Sequence, residues 1–422
     1  MTLHQPLHHP DPAVCGCDSA PGLVPVDQAI MRGLSMVSPV EGAEMLPLQQ
    51  ATGRVLAQDS VAPVPLPLFD NAAMDGYALR LADLVGRGPW VLPVAGRICA
   101  GDAPGRLPEG AVLRILTGAP VPSGADAVVP QEQAASLGTA ISLSMTPRAC
   151  QHIRYCGEDQ ARGAILVSGG RILAAREAAA LAGAGIGEVS VTRRLRVAVL
   201  CSGSELVAPG APLAPGQIWD ANQAMLAAVL DQPWITRIIL PACVDAPDTL
   251  RDAVAQAAAQ ADIVITTGGV SVGDEDHMAR VIRDLGGRIE MMKLAMKPGK
   301  PLAIGLVGDA LWLGLPGNPV AAFVTWHVVG QVLAGRMAGI ASPGPRKTLA
   351  SLAAPIRHKP GRCEYRPAQL LGHDARGVLQ VGCLQDAGSH RIAQLAQADA
   401  LVMIPSDLEQ MARGDLVEVL PL

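Results

Sequence analysis

Aromatic residues are scarce in this 422-residue chain, where five tryptophans, three tyrosines and two phenylalanines make up 2% of the sequence. The hydrophobic fraction is nevertheless 50%, so the cores must be built from alanine, valine, leucine and isoleucine. The chain also lacks an excess of basic residues, since its formal charge is −5. This charge balance argues against nucleic acid as the main partner, and anionic ligands would need local cationic pockets.

No apolar run reaches the length of a membrane-spanning helix, and residues 1–12 lack the apolar segment of a signal peptide. The nine cysteines are scattered without a repeated spacing, so a disulfide framework is not expected. We therefore expect a reduced, cytoplasmic protein that does not interact with membranes.

One segment near the start is rich in residues that can ligate metals, namely His4, His8, His9, Cys15 and Cys17. It is also polar and contains proline, and such compositional tracts are weak indicators of a metal site. We predict a disordered tail over residues 1–22 instead.

A chain of this length predicts about two to four domains, and two proline-rich segments suggest where they divide. Residues 62–67 are APVPLP, which cannot form a helix or a central strand, and residues 342–345 are SPGP. We predict an α/β multidomain protein with a linking α+β domain (23–62 plus 161–194), a β-rich domain (63–160), a central doubly wound α/β domain (195–341) and a small C-terminal β-barrel domain (342–422).

The central region alternates between predicted strands and helices, which indicates a parallel sheet covered on both faces. The predicted strands are 196–200, 235–240 and 263–266, and the helices between and after them are 220–230, 247–260 and 276–285. Ligands of such sheets bind beyond the carboxyl ends of the strands. That rule places residues 202–205, Asp245, 268–276 and 316–319 along one rim.

The most informative stretch on this rim is TTGGVSVGDED, residues 266–276, between a predicted strand and a predicted helix. Its three glycines let the backbone approach a ligand closely, and free N–H groups there favour anions. The acidic residues at its end can hold a hard cation that bridges to those anions. This stretch therefore predicts a site for a phosphorylated ligand with magnesium.

Two other rim segments are weak signals taken alone. Residues 201–205, CSGSE, form a small-residue turn that exposes backbone N–H groups and a carboxylate, but such turns are ordinary. Asp245 could simply cap the helix that starts at Pro247. Both become candidates because they converge on the same rim as Asp276.

Two further motifs are a lysine-rich segment and a segment typical of a helix N-terminus. Residues 293–301 are KLAMKPGKP, which predicts a stiff loop that contains three lysines. Such a fixed concentration of positive charge favours an anion-binding role over a run of lysines that is only solvated. Residues 315–319 are LPGNP, which suits the start of a helix, with Asn318 as its cap and Pro319 at its first position. A helix start on the ligand rim is also an anion site.

Together these motifs resemble the molybdopterin molybdenumtransferase family, which comprises bacterial MoeA and the E domain of gephyrin. The matching motifs include GGVSVG (268–273), MKPGKP (296–301) and LPGNP (315–319). Upstream, FDNAAMDGYA (69–78), TGAPVP (117–122) and GED (157–159) agree with the same family. The resemblance runs from about residue 24 to the C-terminus.

The resemblance implies a transferase that inserts molybdenum from molybdate into adenylylated molybdopterin and releases AMP, with Mg²⁺ as cofactor. It implies an elongated homodimer, with the molybdopterin adenylyltransferase and molybdenum-enzyme apoproteins as further partners. The implied catalytic residues are Asp75, Thr117, Asp159, Lys293, Lys297 and Lys300. The implied metal ligands are Glu205, Asp245 and Asp276. The implied substrate-binding residues are Ser202, Gly203, Gly268, Gly269, Ser271, Gly273, Pro316, Gly317, Asn318, Arg362 and Ser389.

Two other functions stay open at this point. Molybdopterin adenylyltransferases share the central fold and a related glycine loop, but they consist mainly of that central domain. A catalytically weak dimeric scaffold is the other alternative, because the gephyrin relative binds receptor tails through its E-domain dimer. The acids and lysines of the rim would be superfluous in a pure scaffold.

Overall fold

The structure is a computed structural model that describes residues 22–268, 277–384 and 388–422. The predicted tail therefore lies outside the described residues, apart from its last residue. The chain then forms helix α1 (Val26–Ser35) and strands β1 (Ala43–Pro47) and β2 (Ser60–Val61), with a 3₁₀ turn at Leu48–Gln50. Helix α1 buries Val26, Ala29 and Gly33, because this spacing places them on one face.

The following segment is β-rich, as its short apolar runs between Gly and Pro predict. Six of its strands form one sheet in the order β7-β4-β6-β5-β9-β8. The remaining two pair with each other. The strands are β3 (Asn71–Ala72), β4 (Gly76–Leu79), β5 (Trp90–Ile98), β6 (Val112–Ile115), β7 (Ala127–Pro130), β8 (Ala134–Ser136), β9 (Ala140–Leu143) and β10 (Ile153–Arg154).

The chain then returns to its first strands through β11 (Ile165–Val167), helix α2 (Ala175–Gly183) and β12 (Glu188–Thr192). Strand β11 pairs with β2 and β12 pairs with β1, both antiparallel. The Glu177 carboxylate accepts a hydrogen bond from the Ala174 N–H at 3.1 Å and so caps the start of α2. Both parts of the linking segment thus share one small core.

A six-stranded sheet forms the centre of the described chain, in the order β16-β13-β17-β21-β20-β18. Its strands are β13 (Leu195–Cys201), β16 (Ile235–Ile239), β17 (Ile263–Thr267), β18 (Arg288–Lys293), β20 (Pro301–Val307) and β21 (Ala310–Leu315). Between them lie β14 (Leu206–Val207), β15 (Ile218–Trp219), β19 (Met296–Lys297), α3 (Ala221–Val229), α4 (Pro247–Gln260) and α5 (His277–Asp284). After β21 come α6 (Pro319–Thr325), a π-helical turn (Trp326–Gly330) and α7 (Gln331–Met337).

The expectation of an all-parallel sheet is wrong at one edge. The neighbours β16, β13, β17 and β21 are parallel, but β20 runs antiparallel to β21, and β18 in turn pairs antiparallel with β20. Residues 308–309 alone connect β20 to β21, and so short a connection permits a hairpin but no parallel crossover. Both faces of the sheet are covered as predicted: one apolar cluster includes residues of α1, α3, α6 and α7, and the other includes residues of α4 and α5.

The C-terminal segment closes into a β-barrel, which confirms the predicted barrel-like module. Around the barrel the strand order is β24-β25-β22-β28-β26, and β26 pairs back with β24. Full closure removes exposed strand edges. The segment consists of β22 (Thr348–Leu352), β23 (Ile356–Arg357), β24 (Cys363–His373), β25 (Leu379–Cys383), α8 (Ile392–Leu395), β26 (Ala400–Ile404), β27 (Gln410–Met411) and β28 (Leu416–Pro421). Among the described residues, no helix combines the length and apolarity that a membrane span requires.

Candidate functional site

Loops that follow three neighbouring parallel strands meet at the carboxyl edge of the central sheet. The Ser202 N–H, after β13, donates to the carbonyl of Thr267 at 3.0 Å. Gly268, after β17, has a φ of +88°, and a Cβ there would clash with the carbonyl oxygen of Ser202. A Cβ on Gly317, after β21, would lie 3.8 Å from the Gly268 Cα. The structure therefore brings Ser202, Gly268 and Gly317 together, as the sequence predicts.

Two of the three predicted metal ligands lie on adjacent loops of this edge. The Gly203 N–H donates to the Cys243 carbonyl at 3.0 Å, which places Asp245 close to the turn after β13. The Glu205 carboxylate lies over Gly203. A Cβ added to Gly203 would be only 2.7 Å from one of the Glu205 carboxylate oxygens. The Asp245 Oδ1 is buried and has no hydrogen-bond partner among the described residues.

The cysteines beneath this edge do not provide thiolates. Burial raises the pKa of the Cys201 thiol to about 12, and burial with the nearby Asp245 charge raises that of Cys243. Both thiols therefore stay protonated at neutral pH, and oxygen atoms remain as the donors for a hard cation.

The structure adds Asn222, which the sequence reasoning missed. Helix α3 begins after Asp220, whose side chain accepts a hydrogen bond from the Gln223 N–H at 2.9 Å. The Asn222 Nδ2 then donates to the Gly317 carbonyl at 2.7 Å. The available signal was the Asp-Ala-Asn run directly after a short strand, at a helix start that faces the rim.

The lysine segment (293–301) contains strand residues where the sequence predicts a loop. Lys293 ends strand β18 and Lys297 lies on β19, while the Leu294 N–H donates to the Lys300 carbonyl at 2.6 Å. Leu294, Ala295 and Met296 are buried, whereas the three lysines are exposed. The buried apolar residues therefore anchor the segment in the core and leave three ammonium groups at the surface.

The C-terminal barrel meets this edge at two places. The Asn318 Nδ2 donates to the Ser389 Oγ at 3.3 Å. Arg362 precedes Cys363, whose N–H donates to the Ala295 carbonyl at 2.8 Å. Both barrel residues predicted from the family pattern thus lie against central-domain segments that carry other predicted site residues.

The three predicted residues of the β-rich domain have their partners within that domain. The Thr117 N–H and hydroxyl both donate to the Asp75 Oδ1, at 2.8 and 2.7 Å. These hydrogen bonds, from the backbone first and the hydroxyl second, lower the pKa of Asp75. Asp159 is exposed, and its N–H donates to the Leu66 carbonyl at 3.0 Å.

The predicted residues Gly269, Ser271, Gly273 and Asp276 lie outside the described residues. Within the described ranges, no group of three or more His, Cys, Asp or Glu side chains is arranged to hold a metal ion. Of the three predicted metal ligands, Glu205 and Asp245 thus lie in the described part of the chain, and Asp276 does not.

The fold and this edge define a multidomain α/β protein whose central sheet presents glycine-containing loops next to a β-barrel. Family models match in the same order along the chain: the MoeA N-terminal region (domain I and II) at residues 24–185, a probable molybdopterin binding domain at 198–335 and the MoeA C-terminal region (domain IV) at 350–422. The chain belongs to the molybdopterin molybdenumtransferase family, a family of transferases.

Individual relatives support this assignment over nearly the full length. The molybdopterin molybdenumtransferase of Haemophilus influenzae is 34% identical, over 94% of this chain and 98% of the relative. Molybdopterin molybdenumtransferase 2 of Mycobacterium tuberculosis is 38% identical, over 89% and 94% respectively. The crystal structure of the molybdopterin biosynthesis protein MoeA from Pyrococcus horikoshii OT3 has a TM-score of 0.80 and 27% identity, and the match covers 95% of this chain and all of that one.

Proposed function

We propose that this chain transfers molybdenum from molybdate to the dithiolene of adenylylated molybdopterin and releases AMP. The observation that carries the proposal is the meeting of the Ser202, Gly268 and Gly317 loops at one edge, with the lysine segment and the barrel beside it. This arrangement provides glycine-containing loops and ammonium groups along one edge of the sheet. Both substrates are anions that such donors recognise.

The described residues divide into two sets of donors for the two substrates. The glycine-containing loops suit the phosphates of the adenylylated pterin, because their backbone can approach a ligand closely. Molybdate is a tetrahedral dianion that takes the same charged and hydroxyl donors as phosphate. The donors that suit it here are Lys293, Lys297, Lys300, Arg362, Asn318 and Ser389. Cysteine ligands are unnecessary in this scheme, since the sulfurs of the pterin bind the molybdenum.

We assign the cofactor Mg²⁺ to Glu205, Asp245 and Asp276. The buried, unpartnered Asp245 Oδ1 and the Glu205 carboxylate beside Gly203 fit a hard cation, which prefers carboxylate oxygens. Bound Mg²⁺ would neutralise charge on the phosphate that leaves as AMP. The role of the chain is then to orient the phosphates with the glycine-containing loops and the ammonium groups beside them.

Asp75, Thr117 and Asp159 need a different placement, because their hydrogen-bond partners lie in the β-rich domain. We propose that they complete the site of a second copy in a homodimer. Exposed Phe69 and Met74, at 46% and 42% of their full surface, precede Asp75 in sequence and support a contact of this region with a protein surface. The enzyme would act in the cytoplasm, with the molybdopterin adenylyltransferase and molybdenum-enzyme apoproteins as partners.

The adenylyltransferase alternative is disfavoured by the family matches on both sides of the central domain, at residues 24–185 and 350–422. The scaffold alternative is disfavoured by the exposed lysines, which a scaffold does not require. One assay separates the transferase from the scaffold, and a second reaction, with ATP and free molybdopterin, tests the adenylyltransferase. Purified protein is incubated with adenylylated molybdopterin, Mg²⁺ and molybdate, and AMP release is followed together with reconstitution of a molybdenum-free apoenzyme.

The transferase requires AMP release that depends on molybdate and yields active apoenzyme. Lys297→Ala should lower the rate of this AMP release by roughly 10²–10³-fold, whereas Lys347→Ala, which removes a barrel lysine paired with Glu418 at 2.8 Å, should leave it unchanged. Tight binding of the adenylylated pterin without turnover would support the scaffold. Adenylylation of free molybdopterin by ATP would support the adenylyltransferase.

A further inference from the structure

A buried carboxylate of the barrel is surrounded by nitrogen-bearing side chains next to the lysine segment. Glu364, on β24, is 2% exposed. Its Oε1 lies 2.9 Å from the Arg366 Nη2 and 3.3 Å from the Lys297 Nζ, and its Oε2 lies 3.7 Å from the His358 Nδ1. A carboxylate this deeply buried requires such partners, because an unpaired buried charge is strongly destabilising.

The backbone connects the same two segments. Strand β19 pairs in parallel with the start of β24, where Met296 aligns with Cys363 and Lys297 with Glu364. The Cys363 N–H also donates to the Ala295 carbonyl at 2.8 Å. Lys297 is therefore fixed to the barrel by its main chain and by its ammonium group together.

The exposures of the two side chains differ in a way that assigns their roles. The Lys297 side chain is 46% exposed, whereas that of Glu364 is 3% exposed. An ammonium group has three N–H donors, so one can bind Glu364 while the others remain available to a ligand at the exposed side of the lysine. Glu364 itself is too enclosed to contact a substrate bound at the surface.

We propose that Glu364 is a positioning residue, which holds the Lys297 ammonium in the orientation that receives the oxyanion and so makes the central site depend on the barrel. This inference rests on the proposed function. A lysine side chain has many rotamers, and fixing it during binding costs conformational entropy. The ion pair with Glu364 fixes the side chain before the anion arrives, which is electrostatic preorganisation.

The test compares Glu364→Gln with Glu418→Gln in the assay of molybdate-dependent AMP release. The control removes the same charge from the same barrel, at a surface pair with Lys347. Misplacement of a substrate-facing group by about 1 Å costs on the order of 10²-fold. We expect Glu364→Gln to lower kcat/KM for molybdate by roughly that factor, Glu364→Asp to restore part of it, and Glu418→Gln to leave it unchanged.

A double-mutant cycle separates positioning from simple structural damage. In a Lys297→Ala background, Glu364→Gln should lower kcat/KM by less than about twofold, because the group through which it acts is gone. The inference is overturned if Glu364→Gln keeps wild-type kcat/KM, or if it costs as much without Lys297 as with it. Should Glu364→Gln not fold, the double variant Glu364→Gln with Arg366→Gln also removes the arginine charge that the single variant leaves without its carboxylate partner, and the same outcomes apply.

A second measurement does not depend on turnover. Acylation of surface amines, followed by mass spectrometry, should label Lys297 faster in Glu364→Gln than in the wild type, with Lys347 as the internal reference. Equal labelling would contradict the inference even if the wild type proved to be inactive. Absence of molybdate-dependent AMP release in the wild type, together with faster Lys297 labelling in the variant, would instead contradict only the proposed function.

Discussion

The side-chain amide of Asn222 donates to the main-chain carbonyl of Gly317 at 2.7 Å and so connects the start of α3 to the loop after β21. The Asn222 side chain is held in turn by its helix, which Asp220 caps. The Asn222 Oδ1 is buried and has no partner in the described ranges. The position of the Gly317 loop therefore depends on a polar contact from a helix of the central domain as well as on its own turn.

Replacement of Asn222 by Ala should weaken binding of the adenylylated pterin. The change removes a hydrogen bond worth about 1 kcal/mol, and loss of the loop position should lower the affinity roughly tenfold. Isothermal titration calorimetry of the wild type and the variant measures this difference. Gln369→Ala is the matched control, because it removes a side-chain amide that donates to the Gln397 carbonyl at 3.1 Å in the barrel. Equal losses in both variants would contradict a specific role of Asn222.

Much of the fold follows from the sequence, because strand and helix periods in the central region are strong. Helix α4 begins and ends where the sequence predicts, at Pro247 and Gln260. Gly268 and the LPGNP loop could be placed on one edge because parallel strands align their carboxyl ends.

Other features could not be predicted, because they depend on partners that are distant in sequence. The segment 288–293 has no clear alternation, and it forms β18 because the hairpin of β20 and β21 offers an edge. Lys297 lies on a strand only because β24 pairs with it, 67 residues away. The local sequence pattern of a segment does not show which distant strand it pairs with.

Replacement of Thr117 by Val should raise the pKa of Asp75 toward its ordinary value. The Thr117 N–H remains as a donor, so the shift should be partial, but the hydroxyl hydrogen bond that favours the ionised carboxylate is lost. Titration of the Asp75 carboxyl carbon by NMR measures this change. Asp374, whose pKa is lowered by the Val378 N–H in the barrel, is the internal control and should not change. An unchanged Asp75 titration would show that the hydroxyl does not stabilise the carboxylate.

Asp262 should make the stability of the central domain depend on pH in acid. Burial opposes its ionisation, but hydrogen bonds from Arg193 and Arg196 outweigh that effect and lower the pKa of Asp262 to about 2. An unfolded Asp has a pKa of about 3.9, so this stabilisation is present above about pH 4 and is lost as the pH falls through about 2. Because both arginines are partly exposed, we expect the Asp262 ion pairs to contribute only about 1–2 kcal/mol to the free energy of unfolding at pH 7.

The measurement for Asp262 is denaturant unfolding of the wild type and Asp262→Asn at pH 7 and near pH 2. The variant should be less stable at pH 7 by that amount, and the difference should shrink as the pH is lowered. Asp231→Asn, which breaks a more exposed pair with Arg237 at 3.3 Å, should cost less than about 1 kcal/mol. A difference between wild type and Asp262→Asn that stays constant with pH would contradict the ion-pair explanation.

Replacement of Asp245 by Asn should raise the Mg²⁺ concentration needed for half-maximal AMP release, by roughly tenfold for the loss of one charged ligand. The physical reason is the buried Asp245 Oδ1, which has no partner in the described part of the chain and would regain one from a cation. The measurement is a Mg²⁺ titration at saturating molybdate, with Asp248→Asn as the control. Asp248 is 88% exposed and pairs only at the surface, with Arg251 at 3.3 Å, so its loss should leave the titration unchanged. If Asp245→Asn also leaves it unchanged, Mg²⁺ does not bind at Asp245, and the unpartnered oxygen must have another role.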